Sequence, residues 1–172
     1  MAIPVRRMNP ISVITHWIKG DLGIITEETF VIETPKPVTV GDIVLDDELG
    51  RMLKEKFGIE IYDAQDAAHT AIDSTWLLTV CLPAWTRNRE RRGLLAYQDQ
   101  NDCDNRAFAF WQFVCELWAI HDIYGQAPAM GIVKHLNPGH VLNHVLTERG
   151  IICVDVQRGE VPQHPDTYKV AI

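Results

Sequence analysis

One cysteine of this sequence stands where a thiol could act as a nucleophile. Cys103 follows a polar stretch, Tyr97 to Asp102, and opens a segment whose apolar residues recur at three- and four-residue steps, which is typical of a helix. Asn101 or Asp102 can cap its first turn. Backbone N–H groups and the positive end of the helix dipole favour a thiolate there, and the thiolate is the form that attacks a carbonyl carbon. The pattern predicts Cys103 as a nucleophile.

A predicted antiparallel hairpin carries the residues that could assist this thiol. Apolar runs at 141–147 and 151–156 are joined by a short polar turn with a glycine, with His140 opening the first strand and Asp155 near the end of the second. An even loop length places both side chains on one sheet face, whereas an odd loop separates them unless a bulge intervenes. His140 would hold the thiol proton and deliver it to the leaving group, and Asp155 would orient the imidazole.

Two other polar positions compete for or add to these roles. His144 lies one pleat pair beyond His140 and is the competing base, which we rank lower because it is closer to the hairpin turn. Gln98, or else Gln100, precedes the cysteine and could donate a side-chain N–H to the developing oxyanion, beside the backbone N–H of Cys103.

Three segments resemble one family of thiol enzymes. Asn101 to Phe108 (NDCDNRAF) resembles the DCDxxA helix start of bacterial and bacteriophage transglutaminase-like cysteine peptidases, a branch of the papain-like fold. Residues 139–143 (GHVLN) and 155–157 (DVQ) are similar to the GHxxN and acidic-x-Gln segments of that group. The resemblance covers roughly residues 95 to 160. It implies a papain-like or transglutaminase-like core, a thiol protease or related hydrolase, and a bacterial or bacteriophage origin.

The elements that must position these residues indicate an α+β fold. A central helix from Cys103 to about Tyr124 is predicted to pack on an antiparallel sheet that contains the hairpin at 140–156. Further strands are predicted at 130–136 and 168–172. We expect one domain over residues 1–172, with a β-rich N-terminal extension at 1–60 and a thiol-hydrolase-like core at 61–172.

The first 90 residues predict strands followed by two helices. Short apolar runs end at Leu45, and a helix follows with Gly58 as its stop. A second helix is predicted from a cap at Asp63 or Asp66 to Pro83, with Ala68, Ala71, Ile72, Trp76 and Val80 on one face. Periodicity assigns Trp76, Trp111 and Trp118 to the core, and leaves Trp17 and Trp85 as candidates for partner contacts.

Composition excludes several classes of function. The chain has 172 residues, 47% of them apolar, and a net charge of −7, while its one basic run, Arg87 to Arg92, is short and interrupted. We therefore expect neither nucleic-acid binding nor attraction to anionic membranes. There is no continuous hydrophobic region typical of a signal peptide and no run long enough to span a bilayer. The four cysteines are widely separated without a CxxC, so we expect free thiols and a cytoplasmic location.

The function that these residues predict is acyl transfer or amide hydrolysis through a Cys103–His140–Asp155 triad, without cofactor or metal. The substrate would be a peptide, a peptidoglycan stem or a protein amide. One alternative is a non-catalytic interaction protein on the same fold. Another is a zinc protein using His140, His144, Cys153 and His135, but on a strand the first two would lie about 13 Å apart. The oligomeric state is left open.

Overall fold

The computed structural model describes residues 12–19, 25–58, 67–94, 102–123, 125–136, 139–162 and 168–171. Within these ranges the protein has the α+β fold that the sequence predicts. Its elements are β1 (Ser12–Lys19), β2 (Ile25–Ile32), β3 (Thr39–Leu45), α1 (Asp46–Phe57), β4 (Ala68–Ile72), α2 (Ser74–Trp76), α3 (Leu82–Arg91), α4 (Cys103–Ile120), β5 (Ala127–Pro128), β6 (Met130–Leu136), β7 (Gly139–Thr147), β8 (Gly150–Val154) and β9 (Tyr168–Ala171).

The described strands form three sheets. The strands β1 and β2 pair with each other, β4 lies between antiparallel β3 and parallel β5, and a four-stranded antiparallel sheet has the order β8-β7-β6-β9. The predicted hairpin is β7–β8, and its loop has the two residues Glu148 and Arg149 between the paired Thr147 and Gly150. The predicted final strand is β9, which pairs with β6.

Helix α1 has the boundaries that the sequence pattern gives. Leu49, Leu53 and Phe57 form its buried stripe at four-residue steps. Gly58 follows at φ 65°, and its N–H donates to the carbonyl of Lys54 at 2.8 Å, which closes the helix end. This left-handed conformation explains why a glycine ends the helix.

The second predicted helix is wrong over its first part. Residues 68–72 form strand β4, whose backbone pairs with both β3 and β5. The helical segment starts only at Ser74, where Asp73 accepts a hydrogen bond from the N–H of Trp76 at 2.6 Å. Over five residues the apolar positions are compatible with both the helical and the strand period. The hydrogen bonds to two neighbouring strands stabilise this segment as a strand.

Pro83 does not end this segment, contrary to expectation. A π-helical turn, Leu77–Cys81, follows α2 and leads directly into α3. Pro83 falls in the first turn of α3, where helices tolerate proline. The basic run therefore forms the end of a helix, and Arg87 and Arg91 contact Glu33 at 2.6 and 2.8 Å, so part of its charge is paired within the chain.

The four-stranded sheet has helices on both faces. We call the buried residues between the sheet and α2–α4 the α4-side cluster; they include Trp76, Trp85, Phe110, Val114, Leu117, Trp118, Met130, Val145 and Val154. The α1-side cluster covers the opposite face and includes Leu49, Leu53, Phe57, Val133, Leu142, Leu146, Ile151 and Cys153. Neighbouring residues of β7 thus face different clusters, as strand alternation requires.

Two of the tryptophan assignments are wrong. Trp85 is buried against Phe110, with ring centroids 5.4 Å apart in an edge-to-face arrangement. Trp111 is 38% exposed, because it lies beside the buried stripe of α4 rather than in it. Trp76 and Trp118 are buried as predicted and form a second edge-to-face pair at 6.3 Å. The side chain of Trp17 lies outside the described residues.

Strand β3 and helix α1, which we expected in an N-terminal extension, are continuous with the rest of the structure. The strand β3 pairs with β4, and α1 packs through the α1-side cluster. In the part of the chain that the structure describes, no helix is both long enough and apolar enough to cross a membrane. None of the four cysteines, all of which lie among the described residues, forms a disulfide bond.

Candidate active site

Cys103 is the first residue of α4. Asp102 is the N-cap, with an extended backbone and a side chain that accepts a hydrogen bond from the N–H of Asn105 at 3.4 Å. Cys103 precedes Ala107, Phe110 and Val114 by four, seven and eleven positions, so it begins the stripe that faces the sheet. Its side chain is half-buried. The thiol therefore lies at a capped helix start, on the side of the helix that packs on strands.

The chain path places the start of α4 at the same end of the sheet as the start of β7. Only six residues separate the end of α4 at Ile120 from β5, and β6 then begins at Met130, which pairs with Val145 near the end of β7. The C-terminal end of α4 thus lies by the end of β7. The helix and the strand run in the same direction, so Cys103 and His140 begin elements at one end of the layer.

The structure joins His140 to Asp155. Nε2 of His140 lies 2.9 Å from Oδ2 of Asp155, although neither residue is near the other in sequence. The two-residue loop is the even case, because it pairs Asn143 with Val154 and His144 with Cys153. The Asp155 side chain is 4% exposed and the His140 side chain 24% exposed. A buried carboxylate thus contacts an imidazole that solvent can still reach.

Asp155 is itself held by a turn that the sequence pattern did not predict. The strand β8 ends at Val154, and Asp155 instead exchanges backbone hydrogen bonds with Glu160 at 2.8 and 3.2 Å. Its Oδ1 accepts the backbone N–H groups of Gln157 and Arg158 at 2.9 and 3.1 Å. Oδ2 contacts His140 at 2.9 Å and also lies 3.7 Å from Nε of Arg158. The acidic-x-Gln segment was the feature of the sequence that could have indicated this turn. Gln157 takes part in the turn through its backbone N–H group.

Asn143 connects the strand of His140 to the helix of Cys103. Its side chain is completely buried, and its Nδ2 donates to the carbonyl of Ala107 at 3.0 Å and to that of Gly131 at 3.3 Å. Ala107 is one helical turn after Cys103. The contact therefore fixes β7 against the first turns of α4.

The competing histidine, His144, is in a different environment from His140. It is 3% exposed, and its Nε2 lies so close to Gly131 that a Cβ there would be 2.5 Å away. Burial, together with the nearby His69, lowers the pKa of His144 to about 4. The imidazole of His144 is thus neutral near pH 7. It is also almost inaccessible to solvent, whereas the side chain of His140 is partly exposed.

Arginines surround the first turns of α4. Arg106, three residues after Cys103, is 6% exposed. Burial lowers the pKa of Arg89 in α3, and the positive charges of Arg106 and Arg92 lower it further. Arg89 also lies over the Trp85 ring, 5.1 Å from its centroid. The side chains next to this end of α4 therefore include two guanidinium groups in close proximity.

The remaining predicted site residue, Gln98, lies outside the described residues. Of the predicted triad, the structure brings His140 and Asp155 into a hydrogen bond. Cys103 begins α4 at the same end of the layer, but within the described part of the chain no hydrogen bond joins it to either of them. Among the described residues, no group of three or more His, Cys, Asp and Glu side chains is arranged to hold a metal ion.

One solved structure has a similar fold. It is described as "PSL1a-E64 complex", and it matches with a TM-score of 0.57 at 13% sequence identity over 88% of the present chain. At this identity the similarity shows the fold alone. The present chain spans 57% of the length of that neighbour. No protein-family model matches the sequence, and no curated protein matches it either.

Proposed function

We propose that this protein catalyses cysteine-dependent acyl transfer or amide hydrolysis, with Cys103 as nucleophile, His140 as base and Asp155 as its orienting acid. The observation that carries the proposal is the 2.9 Å hydrogen bond between His140 and the buried Asp155, at the end of the layer where α4 begins with a cysteine. The resemblance of these segments to transglutaminase-like cysteine peptidases supports the same chemistry. A papain-like core is part of the proposal.

The reaction would proceed through a thioester. The Cys103 thiolate attacks the substrate carbonyl carbon, the C–N bond breaks, and the leaving amine takes the proton held by His140. A water molecule then gives a proton to His140 and attacks the thioester carbon, and the C–S bond breaks to release a carboxylic acid. The departing sulfur and the imidazolium share the proton again as at the start of the cycle. An amine in place of water gives transamidation. The hydrogen bond from His140 to Asp155 stabilises the imidazolium that forms in both steps.

Electrostatics make His140 the residue on which the thiolate depends. The start of α4 favours negative charge at Cys103, typically by up to about 1 kcal/mol for a partly exposed group. Asp102 and Asp104 flank the thiol with negative charges that act in the opposite direction. These two effects offset each other. The imidazolium of His140 would therefore supply most of the thiolate stabilisation.

The geometry of β7 sets a requirement for this mechanism. Leu142 and Leu146 face the α1-side cluster, whereas Asn143 and Val145 face α4. Regular alternation would turn His140 toward the face of Leu142. The mechanism therefore requires the imidazole to approach Cys103 around the open end of β7, where Gly139 precedes it.

The substrate class follows from the chemistry of the thiol rather than from a defined pocket. A peptide, a peptidoglycan stem or a protein amide would each present the carbonyl that the mechanism requires. The solved neighbour is described as a complex with E64, so E64 is a compound to test for binding to this chain. We also propose a cytoplasmic location, in keeping with four cysteines that form no disulfide bond among the described residues.

The second candidate function is a non-catalytic interaction protein on the same fold. Phe108 and Trp111, exposed by 46% and 38%, give α4 an apolar surface that a partner could cover. This candidate differs from the enzyme in one measurable respect. It does not require Cys103 to be more reactive than an ordinary thiol.

Alkylation by iodoacetamide distinguishes the two candidates. An ordinary thiol, with a pKa of about 8.5, is almost fully protonated at pH 6, so its alkylation is slow there. We expect Cys103 to be alkylated at pH 6 at least tenfold faster than Cys115, which is half-buried on the same helix and serves as the internal reference. Peptide mass spectrometry after quenching gives the rate at each site.

Two alanine variants complete the experiment. His140→Ala should remove the advantage of Cys103 at pH 6, whereas His121→Ala, at the far end of α4, should retain it. Asp155→Asn should give an intermediate loss, because the imidazole remains but its charged partner does not. The enzyme hypothesis is wrong if Cys103 and Cys115 are alkylated at equal rates in the folded wild type, or if His140→Ala leaves the alkylation rate of Cys103 unchanged. The interaction protein would then be the better description.

A further inference from the structure

Asn143 connects β7 to α4 and to β6 through hydrogen bonds of its side chain. Its exposure is 0%, and burying an amide is unfavourable unless its hydrogen bonds are made. Nδ2 donates both of its protons, one to the carbonyl of Ala107 in α4 and one to that of Gly131 in β6, while the buried Oδ1 accepts no hydrogen bond from the described residues. A leucine would fill a similar volume in this apolar layer without a polar group. The buried amide thus links three elements at one point.

That point lies near the starts of both elements, a few residues after each proposed reacting group. Ala107 is four residues after Cys103 in the helix, a rise of about 6 Å, and Asn143 is three residues after His140 in the strand, about 10 Å. Because α4 and β7 run in the same direction, a shift of one element along the other changes the separation of their first residues directly. A hydrogen bond of fixed length near both starts opposes that shift.

We propose that Asn143 is a positioning residue for the thiol site: it holds α4 against β7 in the register that brings Cys103 to His140. This inference rests on the proposed function. Apolar contacts alone, such as those of Val145 with the α4-side cluster, are non-directional and allow small displacements. The directional bond from Asn143 to Ala107 sets the register. An enzyme of this class needs that precision, since a displacement of about 1 Å can cost about a hundredfold in rate.

The test compares Asn143→Leu with a control that destabilises the same strand elsewhere. Leu146→Ala removes a buried side chain from the α1-side cluster, on the face of the sheet opposite α4. The measurement is the ratio of the Cys103 alkylation rate at pH 6 to that at pH 8, with the melting temperature of each variant. A purely structural role for Asn143 would change the melting temperature and leave the ratio unchanged.

We expect Asn143→Leu to lower the ratio about tenfold, toward that of His140→Ala, because the thiolate then loses most of its ion-pair partner. Leu146→Ala should keep the wild-type ratio even where it melts at a lower temperature. Asn143→Ser retains a hydroxyl donor with shorter reach, so its ratio should fall between those of wild type and Asn143→Leu. If Asn143→Leu does not fold, the serine variant decides, and a wild-type ratio in it overturns the proposal.

The result separates this inference from the proposed function. A wild-type ratio equal to that of the urea-denatured chain ends both proposals. A high wild-type ratio that depends on His140 but is unchanged in Asn143→Leu leaves the enzyme intact and removes the positioning role. Equal losses in Asn143→Leu and Leu146→Ala would assign the effect to strand stability, which also contradicts the role proposed for Asn143.

Discussion

Acid should destabilise this protein through one buried histidine. His144 of β7 is 3% exposed and lies against Gly131 of β6, with His69 of β4 nearby and Cys153 as its cross-strand partner. Burial, together with His69, lowers the pKa of His144 from 6.5 to about 4. In the unfolded chain the same imidazole is exposed to water and binds a proton near pH 6.5. Between these two pH values only the unfolded state gains the charge.

The size of the effect follows from this difference. A lowered pKa means that the unfolded state binds more protons, so the free energy of unfolding decreases as the pH falls from about 6.5 to about 4. Each unit of difference corresponds to about 1.4 kcal/mol, so the full difference is about 3 kcal/mol. That is a large part of the 5–15 kcal/mol typical of small domains. Above pH 7 the histidine contributes no pH dependence.

Urea unfolding at pH 7 and about pH 4.5, followed by the fluorescence of the buried Trp76, Trp85 and Trp118, measures this loss. His144→Leu should be less sensitive to acid than wild type by about 2 kcal/mol over this interval, because it has no imidazole to protonate. His121→Gln, which changes a histidine outside the clusters, should lose as much as wild type. If His144→Leu is as acid-sensitive as wild type, the buried imidazole is not the cause.

Two further substitutions test packing around the same sheet. Gly131→Ala should destabilise the protein by about 1–3 kcal/mol, since its Cβ would lie 2.5 Å from Nε2 of His144. The loss of stability should be smaller when Gly131→Ala is combined with His144→Ala, which removes the imidazole. Additive losses of the two substitutions in urea titrations would argue against a clash. Glu148→Gln should lower the melting temperature at pH 7, because the Glu148 carboxylate accepts the N–H and hydroxyl hydrogen bonds of Ser74, which lower its pKa below 4.5. That stabilisation is present above about pH 4.5 and is lost as the pH falls through the lowered pKa. Wild type and variant should therefore converge in melting temperature as the pH is lowered, and a constant difference would contradict this prediction.

The sequence predicted correctly those elements whose pattern of apolar residues fits only a helix or only a strand. The buried apolar residues of α4 repeat over five helical turns, and the alternating strands β7 and β8 are joined by a two-residue loop. The type and order of these three elements could therefore be predicted from the sequence. Gly58 needs a positive φ and so marks the end of α1. Each of these signals is complete within a short segment.

The errors come from contacts between distant segments. The run 68–72 is alanine-rich and fits a helix, but its partners in β3 and β5 cannot be seen locally. Trp85 stands next to a basic run and yet is buried, because Phe110 from another helix packs against it. The turn that holds Asp155 depends on a bond to Glu160, which is not part of any period.

The same reasoning explains why the proposed site lies at strand ends. Within a regular ladder, neighbouring residues of β7 serve opposite clusters, so a side chain in the middle of the strand is committed to one face and buried there, as His144 is. His140 precedes the positions where both faces are covered, and its side chain keeps 24% of its surface exposed. Asp155 lies beyond the last paired residue of β8 and takes its orientation from the turn to Glu160. Two residues at the ends of a hairpin can therefore be held in place by the sheet while part of their surface stays accessible. The proposed base needs this accessibility, because it must reach both a thiol on another element and a substrate.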